Sequence, residues 1–508
     1  MKKETQKKKE NRIWNGIEKF GNSLPHPVYI FVILTAVVFI VSGLCANVEF
    51  PHPNTGEMQH ITNLLSKDGL LWLLGSMTDN FVKFSPLGVT LISMLGIGIA
   101  EETGLIRTAI KAGISGAPKY LVTAVVLFVG IMGSLAGSAT FVIIPPLGAM
   151  VFKALKRHPI AGLAAGFAGV AAGLSANLMV TQTDILISGI SEEAARIYDP
   201  SYSVGPTVNW YFMAASTVLL TVVGTFVVDR IIEPRLGVYE GMAGEEPEEE
   251  HDLSGITADE KSGLKWAGIG ILIFVAVMAV TIVPGNGLLR GENGSVINSP
   301  FMSGMVPILT VFFLAAGLGY GIRTKAIKNS GDVVSMWNKS MAGLSGFIVL
   351  CFFAGQFVKA FSQSNLGLYL SVKGSEFLSN SNLTGVPLIV GFVLITMVIN
   401  LLIGSASAKW ALMAPIFIPM FMKLGYTPAF TQTAFRIADS VTNAISPLEP
   451  FMPFIIMTAM KYDKKAGLGT VIATMLPLVV SFGISWILLL LLWYGLQLPL
   501  GPGAYIFM

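Results

Sequence analysis

Apolar stretches of about 20 residues recur from Val28 to Tyr494, separated by short polar segments that hold most of the Lys and Arg. A helix of that length crosses a hydrocarbon core of about 30 Å. Set against the basic residues, the pattern predicts nine crossings, at 28–46, 86–100, 160–187, 209–229, 265–284, 303–322, 341–361, 428–446 and 467–494. Basic clusters mark the cytoplasmic ends: Arg107, Lys111 and Lys119; Lys153, Lys156 and Arg157; Arg230, Arg235, Lys261 and Lys265; Arg323, Lys325, Lys328 and Lys339; Lys461, Lys464 and Lys465. The other side carries only scattered single cations. The segment 1–27 is basic and lacks a small-residue cleavage site, so the first crossing reads as a retained span with a cytoplasmic N-terminus, a signal peptide being the weaker alternative. By the same alternation the chain from Gly495 onward lies outside.

Two further apolar stretches, 121–152 and 386–422, are interrupted halfway by small polar residues, and each returns to the side on which it began. They predict re-entrant hairpins. The first is centred on Gly133-Ser134-Leu135-Ala136-Gly137-Ser138-Ala139-Thr140 and the second on Gly404-Ser405-Ala406-Ser407-Ala408-Lys409-Trp410. Backbone freed from helix bonding survives at membrane depth only where protein or a watery cavity encloses it, so these breaks mark a site. The alternative is that the small residues merely let helices pack closely.

The breaks recur at a fixed spacing. Gly137-Ser138-Ala139 matches Gly404-Ser405-Ala406 at an offset of 267, prolines follow both (Pro145 and Pro146; Pro415 and Pro419), and Asn177 matches Asn443 at 266. Because the halves begin on opposite sides of the membrane, the expectation is an inverted-topology repeat with a site at mid-depth. The halves are 28–232 and 265–508, joined by a cytoplasmic linker, 233–264, whose run Glu245-Glu246-Pro247-Glu248-Glu249-Glu250 reads as solvated chain. The fold class is therefore an all-α polytopic membrane protein with about nine spans and two hairpins.

Composition supports this and removes other classes. Of 508 residues, 53% are hydrophobic and 12% charged, against roughly 25% charged in soluble domains, and the mean hydropathy is +0.68. The net charge of +3 reflects cations that serve topology, and no nucleic-acid partner is expected. Cys45 and Cys351 lie in or beside apolar spans without metal or redox spacing, and no His-Glu-x-x-His pair or Gly-x-x-x-x-Gly-Lys-Ser/Thr loop occurs. No enzyme and no cofactor is expected; the energy comes from an ion gradient or a partner.

Ionisable residues inside spans are functional candidates because lipid insertion costs about 3 kcal/mol each. Asp184 is placed at the outer end of a broken helix, where it could take a proton or help hold a cation. Arg436 and Asp439 stand three apart and share a helix face, so they are expected to pair, either structurally or with Arg436 grasping an anion. Lys409 and Trp410 at the second tip suit a ligand with a carboxylate and a ring, the lesser alternative for Trp410 being a packing wedge. Thr442 to Pro450 reads as an unwound segment whose carbonyls could coordinate Na⁺, with Asn443 there and Ser175 and Asn177 in the first half; Pro428 could start the helix that carries Arg436.

Arg157-His158-Pro159-Ile160-Ala161-Gly162-Leu163, Phe167-Ala168-Gly169-Val170, Ser175-Ala176-Asn177-Leu178 and Ser407-Ala408-Lys409-Trp410-Ala411-Leu412-Met413-Ala414-Pro415 together resemble the p-aminobenzoyl-glutamate transporter (AbgT) family over nearly the whole chain. The resemblance implies a homodimer of nine-span protomers in the bacterial inner membrane. It implies uptake of p-aminobenzoyl-glutamate or export of sulfonamide antimetabolites, driven by H⁺ or Na⁺. By motif match it places functional residues at Asp184, Ser407, Trp410, Pro428, Arg436, Asp439 and Pro447, with Asn177 and Asn443 near the cation; Ser138 at the first tip and Asp439 are further candidates for ion coupling. The chain departs from the pattern twice. Ser138-Ala139-Thr140-Phe141 stands where Asp-Ala-Gly-Tyr is expected, and Thr181-Gln182-Thr183-Asp184-Ile185 replaces Gly-Thr-x-Asp-Pro.

The leading expectation is thus an ion-coupled transporter of p-aminobenzoyl-glutamate or a related aromatic acid. A sodium-coupled dicarboxylate symporter shares the architecture, and a channel would need a continuous polar lining.

Overall fold

The computed structural model describes residues 27–51, 57–115, 118–136, 139–239, 241, 256–291, 294–296, 299–381 and 384–508. Gly137 and Ser138 of the first tip, the acidic run Glu245 to Glu250 and the N-terminal 26 residues lie outside them. Helices dominate, as they must where lipid offers the backbone no hydrogen bonds. The named strands, β1 (Glu49–Pro51) and β2 (Met58–His60), form a small antiparallel pair after α1 (Pro27–Leu44).

Among the described residues, six helical stretches are long and apolar enough to cross a membrane: Lys67–Glu102, Trp210–Leu236, Ala258–Ile282, Met305–Arg323, Ser345–Gln363 and Leu468–Leu496. The first is two helices, α2 (Lys67–Val82) and α3 (Ser85–Glu102); the expected crossing at 86–100 is α3, and α2 is an addition. α2 was hidden because Asp68, Asp79 and Asn80 interrupt its apolar pattern, yet Ser66 caps it by accepting the Gly69 N–H at 3.1 Å. α4 (Leu105–Ser115) follows. The first hairpin is α5 (Val122–Met132), a 3₁₀ turn Gly133–Ala136, and α6 (Ala139–Ala154), running two residues past the expected 121–152.

The crossing expected at 160–187 is broken. α7 (Pro159–Phe167) runs into a π-turn, Ala168–Ala172, the chain leaves the helix over 173–181, and α8 (Gln182–Tyr198) restarts it. Asp184 is therefore not at the outer end of a helix. It sits in the first turn of the second half-helix, in a capping box with Thr181. α9 (Trp210–Val227) continues through a π-turn into α10 (Glu233–Leu236), and α11 (Ala258–Ile282), the crossing expected at 265–284, has only Gly263 and Ala267 buried.

The second half repeats the order. α12 (Pro300–Ser303) and α13 (Met305–Arg323) precede α14 (Ser330–Gly343), α15 (Ser345–Gln363) and α16 (Leu366–Asn380). The second hairpin is α17 (Val386–Asn400) and α18 (Ala406–Lys423). α19 (Pro428–Val441) passes through a 3₁₀ turn, Thr442–Ile445, into non-helical chain, and α20 (Met452–Met460) completes the crossing, so this span runs well past the expected end at 446. α21 (Leu468–Leu496) is last.

Structure and repeat agree closely. The second hairpin arms begin at Ala139 and Ala406, and α3 packs on α13 as α15 packs on α1, the same relation with the halves exchanged. One hydrogen bond recurs at an offset of 266: Asn177 Nδ2 donates to Ser134 Oγ at 2.6 Å, and Asn400 Nδ2 to Asn443 Oδ1 at 2.9 Å. Each ties a hairpin arm to a broken crossing.

Glycine lets the first hairpin lie directly on its crossing. A Cβ on Gly162 would sit 2.2 Å from the Gly148 carbonyl oxygen, and one on Gly169 would sit 2.7 Å from the Gly130 Cα. Both obstacles are backbone, which has nowhere to move. Gly162→Ala is therefore expected to cost about 1–3 kcal/mol by overpacking. Gly88→Ala, in α3 with nothing within 4 Å of the new methyl, is expected to be neutral or to gain about 0.5–1 kcal/mol. Melting of the two purified variants in detergent checks the contrast.

Candidate functional site

α19 carries the centre of the site, and all of its residues are buried. Pro428 opens it behind the Thr427 cap, whose hydroxyl accepts the Phe430 N–H at 3.2 Å. Two turns on, Arg436 reaches out of the second half into the break of the first. Its Nη1 lies 2.5 Å from Asp184 Oδ1 and its Nη2 donates to the Ser175 carbonyl at 2.9 Å. The other Asp184 oxygen accepts the Thr181 N–H at 2.7 Å and hydroxyl at 2.6 Å. The carboxylate thus caps α8 with one oxygen, where the helix dipole favours an anion, and meets the guanidinium with the other.

The expected pair of Arg436 with Asp439 does not form. Arg436 is taken by Asp184, and Asp439 by Lys409 of α18, whose Nζ lies 2.6 Å from Asp439 Oδ1. Spacing along one helix made the i,i+3 pair available, but the neighbouring elements bring complementary groups to each residue, and a buried charge takes the partner that best replaces water.

Lys409 and Trp410 are not at the open tip. They lie in the first turns of α18, where Ser405 caps the helix by accepting the Ala408 N–H at 3.3 Å, and both are fully buried. The Lys409 ammonium also donates to Asn400 Oδ1. Asn400 Nδ2 reaches the Asp439 carbonyl at 2.7 Å, Thr442 Oγ1 at 2.8 Å and Asn443 Oδ1 at 2.9 Å. Asn400 was missed, although an amide ending the apolar run 386–399 was the available signal.

Trp410 packs as a wedge. Its ring stacks on Phe435 with centroids 4.2 Å apart, and its Nε1 donates to Ser191 Oγ at 2.9 Å. A polar relay continues from Ser191 to Gln432 Oε1 at 2.6 Å, from Gln432 Nε2 to Asn209 Oδ1 at 2.6 Å, and from Asn209 Nδ2 to Thr433 Oγ1 at 2.8 Å. Sequence gave no sign of this chain, because its members come from α8, α18, α19 and the residue that precedes α9.

The remaining candidates divide. Asn443 belongs to the Asn400 cluster, while Asn177 is held in the first half, its Oδ1 accepting the Met179 N–H at 2.9 Å. The two halves touch where Ser175 N donates to Ser440 Oγ at 3.1 Å. Ser407 is half-buried, 3.2 Å from Ser405 Oγ. Pro447, half-buried, holds the second break open beside the buried Glu449. Pro428 lies eight residues from Arg436, about 12 Å along the helix. Ser138 lies outside the described residues. Ser175 Oγ, Arg436 Nε and both carboxylate oxygens of Asp439 are buried with no hydrogen-bond partner, so Lys409 holds Asp439 by charge alone. A cavity of about 490 Å³ runs along Ile185, Ser188, Gly189 and Glu192 of α8, beginning one residue beyond Asp184.

Removing one member of a buried ion pair strands the other, at about 3–5 kcal/mol, whereas replacing both by apolar groups of similar volume is close to neutral. Asp184→Ala is thus expected to lower the melting temperature of the detergent-purified protein sharply, and the double change Asp184→Leu with Arg436→Met to recover most of the loss.

The chain matches the model of the AbgT putative transporter family over residues 12–508. It is 40% identical over 497 residues to the p-aminobenzoyl-glutamate transport protein of Escherichia coli K12, covering 97% of both chains. Among solved structures it resembles Neisseria gonorrhoeae MtrF, described as illuminating a class of antimetabolite efflux pumps, with a TM-score of 0.91 at 43% identity over 97% of this chain and 100% of that one. The Alcanivorax borkumensis YdaH transporter gives 0.89 at 38% identity, over 94% and 100%. With the two hairpins, the repeat and the paired breaks in place, the chain belongs to the AbgT family and is a multi-pass membrane transporter.

Proposed function

We propose that the protein is a secondary transporter of p-aminobenzoyl-glutamate or a related aromatic carboxylate, driven by a proton gradient through Asp184 and Arg436. One observation carries this proposal. A buried guanidinium of the second half reaches into the break of the first, held by a single carboxylate and one carbonyl, with its Nε unpartnered. A substrate carboxylate is a better-matched bidentate partner for that fork than one oxygen of Asp184. When Asp184 takes a proton its hold weakens and Arg436 turns to substrate; when substrate leaves, Asp184 releases the proton and reclaims the arginine. A cavity lies along α8, the helix that Asp184 caps, and the aromatic part of the ligand would pack against the Trp410 and Phe435 rings after hairpin movement. The name of the Escherichia coli relative supports this substrate class.

The likeness to MtrF favours a second reading for the same site, outward movement of sulfonamide-type antimetabolites in exchange for protons. Either way the proposal places the protein in the inner membrane, with a cytoplasmic N-terminus and as a homodimer. Cysteine labelling from each side and light scattering of the purified protein test those parts.

In reconstituted vesicles, labelled p-aminobenzoyl-glutamate is expected to accumulate under an imposed pH gradient and to be competed by aromatic acids more than by succinate. Asp184→Asn is expected to keep substrate-for-substrate exchange while losing gradient-driven accumulation by at least about tenfold, a barrier of about 1.4 kcal/mol. Arg436→Gln is expected to lose both. Accumulation that is unchanged when the pH gradient is collapsed would remove the coupling, and sulfonamide efflux without p-aminobenzoyl-glutamate uptake would favour the second direction.

A further inference from the structure

The second broken crossing was expected to hold Na⁺ near Asn443, and the oxygens that a hard cation takes do converge there. Asp439 Oδ1 and Asn400 Oδ1 face one point, and Thr442 Oγ1 and Asn443 Oδ1 are drawn alongside by the Asn400 amide. That point already holds a positive charge. The Lys409 ammonium lies 2.6 Å from Asp439 Oδ1, donates to Asn400 Oδ1 and is fully buried. Asn443 Oδ1 is spent on Asn400 Nδ2. A second cation about 4 Å from the ammonium would be repelled enough to lower its occupancy about a thousandfold, even at an effective dielectric of 20. The expected Na⁺ therefore does not fit.

We propose that Lys409 is a tethered cation that takes the place of a free Na⁺ in the second half, closing the second hairpin on its crossing without an ion from solution. The repeat supports this independently. The first half keeps the uncharged part of the arrangement, the Ser134 to Asn177 bond. At the matching positions, 267 residues before Lys409 in the hairpin and 266 before Asp439 in the crossing, it has Val142 and Gly173. The cation and its acid are thus present together in one half and absent together from the other. Lys409 belongs to the hairpin arm and Asp439 to the crossing, so their bond joins the two parts that a leaving ion would separate. An ammonium on a side chain cannot leave with substrate. This rests on the proposed coupling and deepens it, because it leaves Asp184 in the other break as the group that exchanges with solution.

The test needs no substrate, so it stands apart from the success of the transport assays. Melting of the purified full-length protein in detergent is compared in equal concentrations of NaCl and choline chloride at fixed pH. The wild-type protein is expected to melt at the same temperature in both. Lys409→Ala is expected to melt lower in choline chloride and to regain several degrees in NaCl, as mass action predicts for a newly opened site. Adding Asp439→Asn to Lys409→Ala is expected to remove that response. Lys409→Gln, which keeps a hydrogen bond to the cluster, serves where the alanine variant fails to fold. Sodium-specific stabilisation of the wild-type protein that Asp439→Asn abolishes would overturn the proposal, as would a folded Lys409→Ala or Lys409→Gln that ignores Na⁺.

Discussion

Four charged side chains, Asp184, Arg436, Lys409 and Asp439, are buried together at the meeting point of two broken helices, and they balance. In a low-dielectric interior an unmatched charge costs several kcal/mol, so none of the four tolerates losing its partner. That requirement shapes what surrounds it. α8 must begin at Gln182 for Asp184 to cap it, α19 must run unbroken to Val441 to present Arg436 and Asp439 on successive turns, and α18 must enter deeply enough to deliver Lys409.

The breaks are what make this possible in a membrane. An intact helix satisfies its backbone internally and offers a neighbour only side chains, whereas the interrupted crossings expose N–H and C=O groups at mid-depth. The structure uses them. Ser175 gives its carbonyl to Arg436 and its N–H to Ser440, and the Asp439 carbonyl meets Asn400. Small residues carry the first crossing through its π-turn, Ala168–Ala172, and glycine on both sides lets the first hairpin lie against it. Close backbone approach and buried charge pairing are therefore one design, since charges can meet only where helices come near.

The two ion pairs differ in what they can do. Arg436 with Asp184 joins the two halves at the break of the first and leaves donor capacity unused, which suits a pair that opens for a ligand. Lys409 with Asp439 lies within the second half and is braced by Asn400, which suits a pair that holds. Trp410, stacked on Phe435 and bonded to Ser191, links the second hairpin to both crossings, so movement of that hairpin is felt along the relay to Asn209.

Much of the architecture was legible along the chain, because lipid forces a one-dimensional rule: a span must be apolar and long, and its interruption must be enclosed. The run of apolar segments, both hairpins and the constant offset from Asn177 to Asn443 follow from that rule alone. α2 escaped because its buried polar residues, such as Asn80 bonded to Gln356 of α15, look like loop until a neighbour is present. The site residues were legible as types, since an ionisable group in a span needs a reason. Their partners were not. Helical spacing set Arg436 beside Asp439, and the tip motif set Lys409 in the open, whereas the folded chain gives Arg436 to Asp184, 252 positions away, and Lys409 to Asp439. Sequence determined which charges enter the membrane; only packing of the two halves decided how they pair, because the energy of a buried charge depends on what lies within a few ångströms in space rather than along the chain.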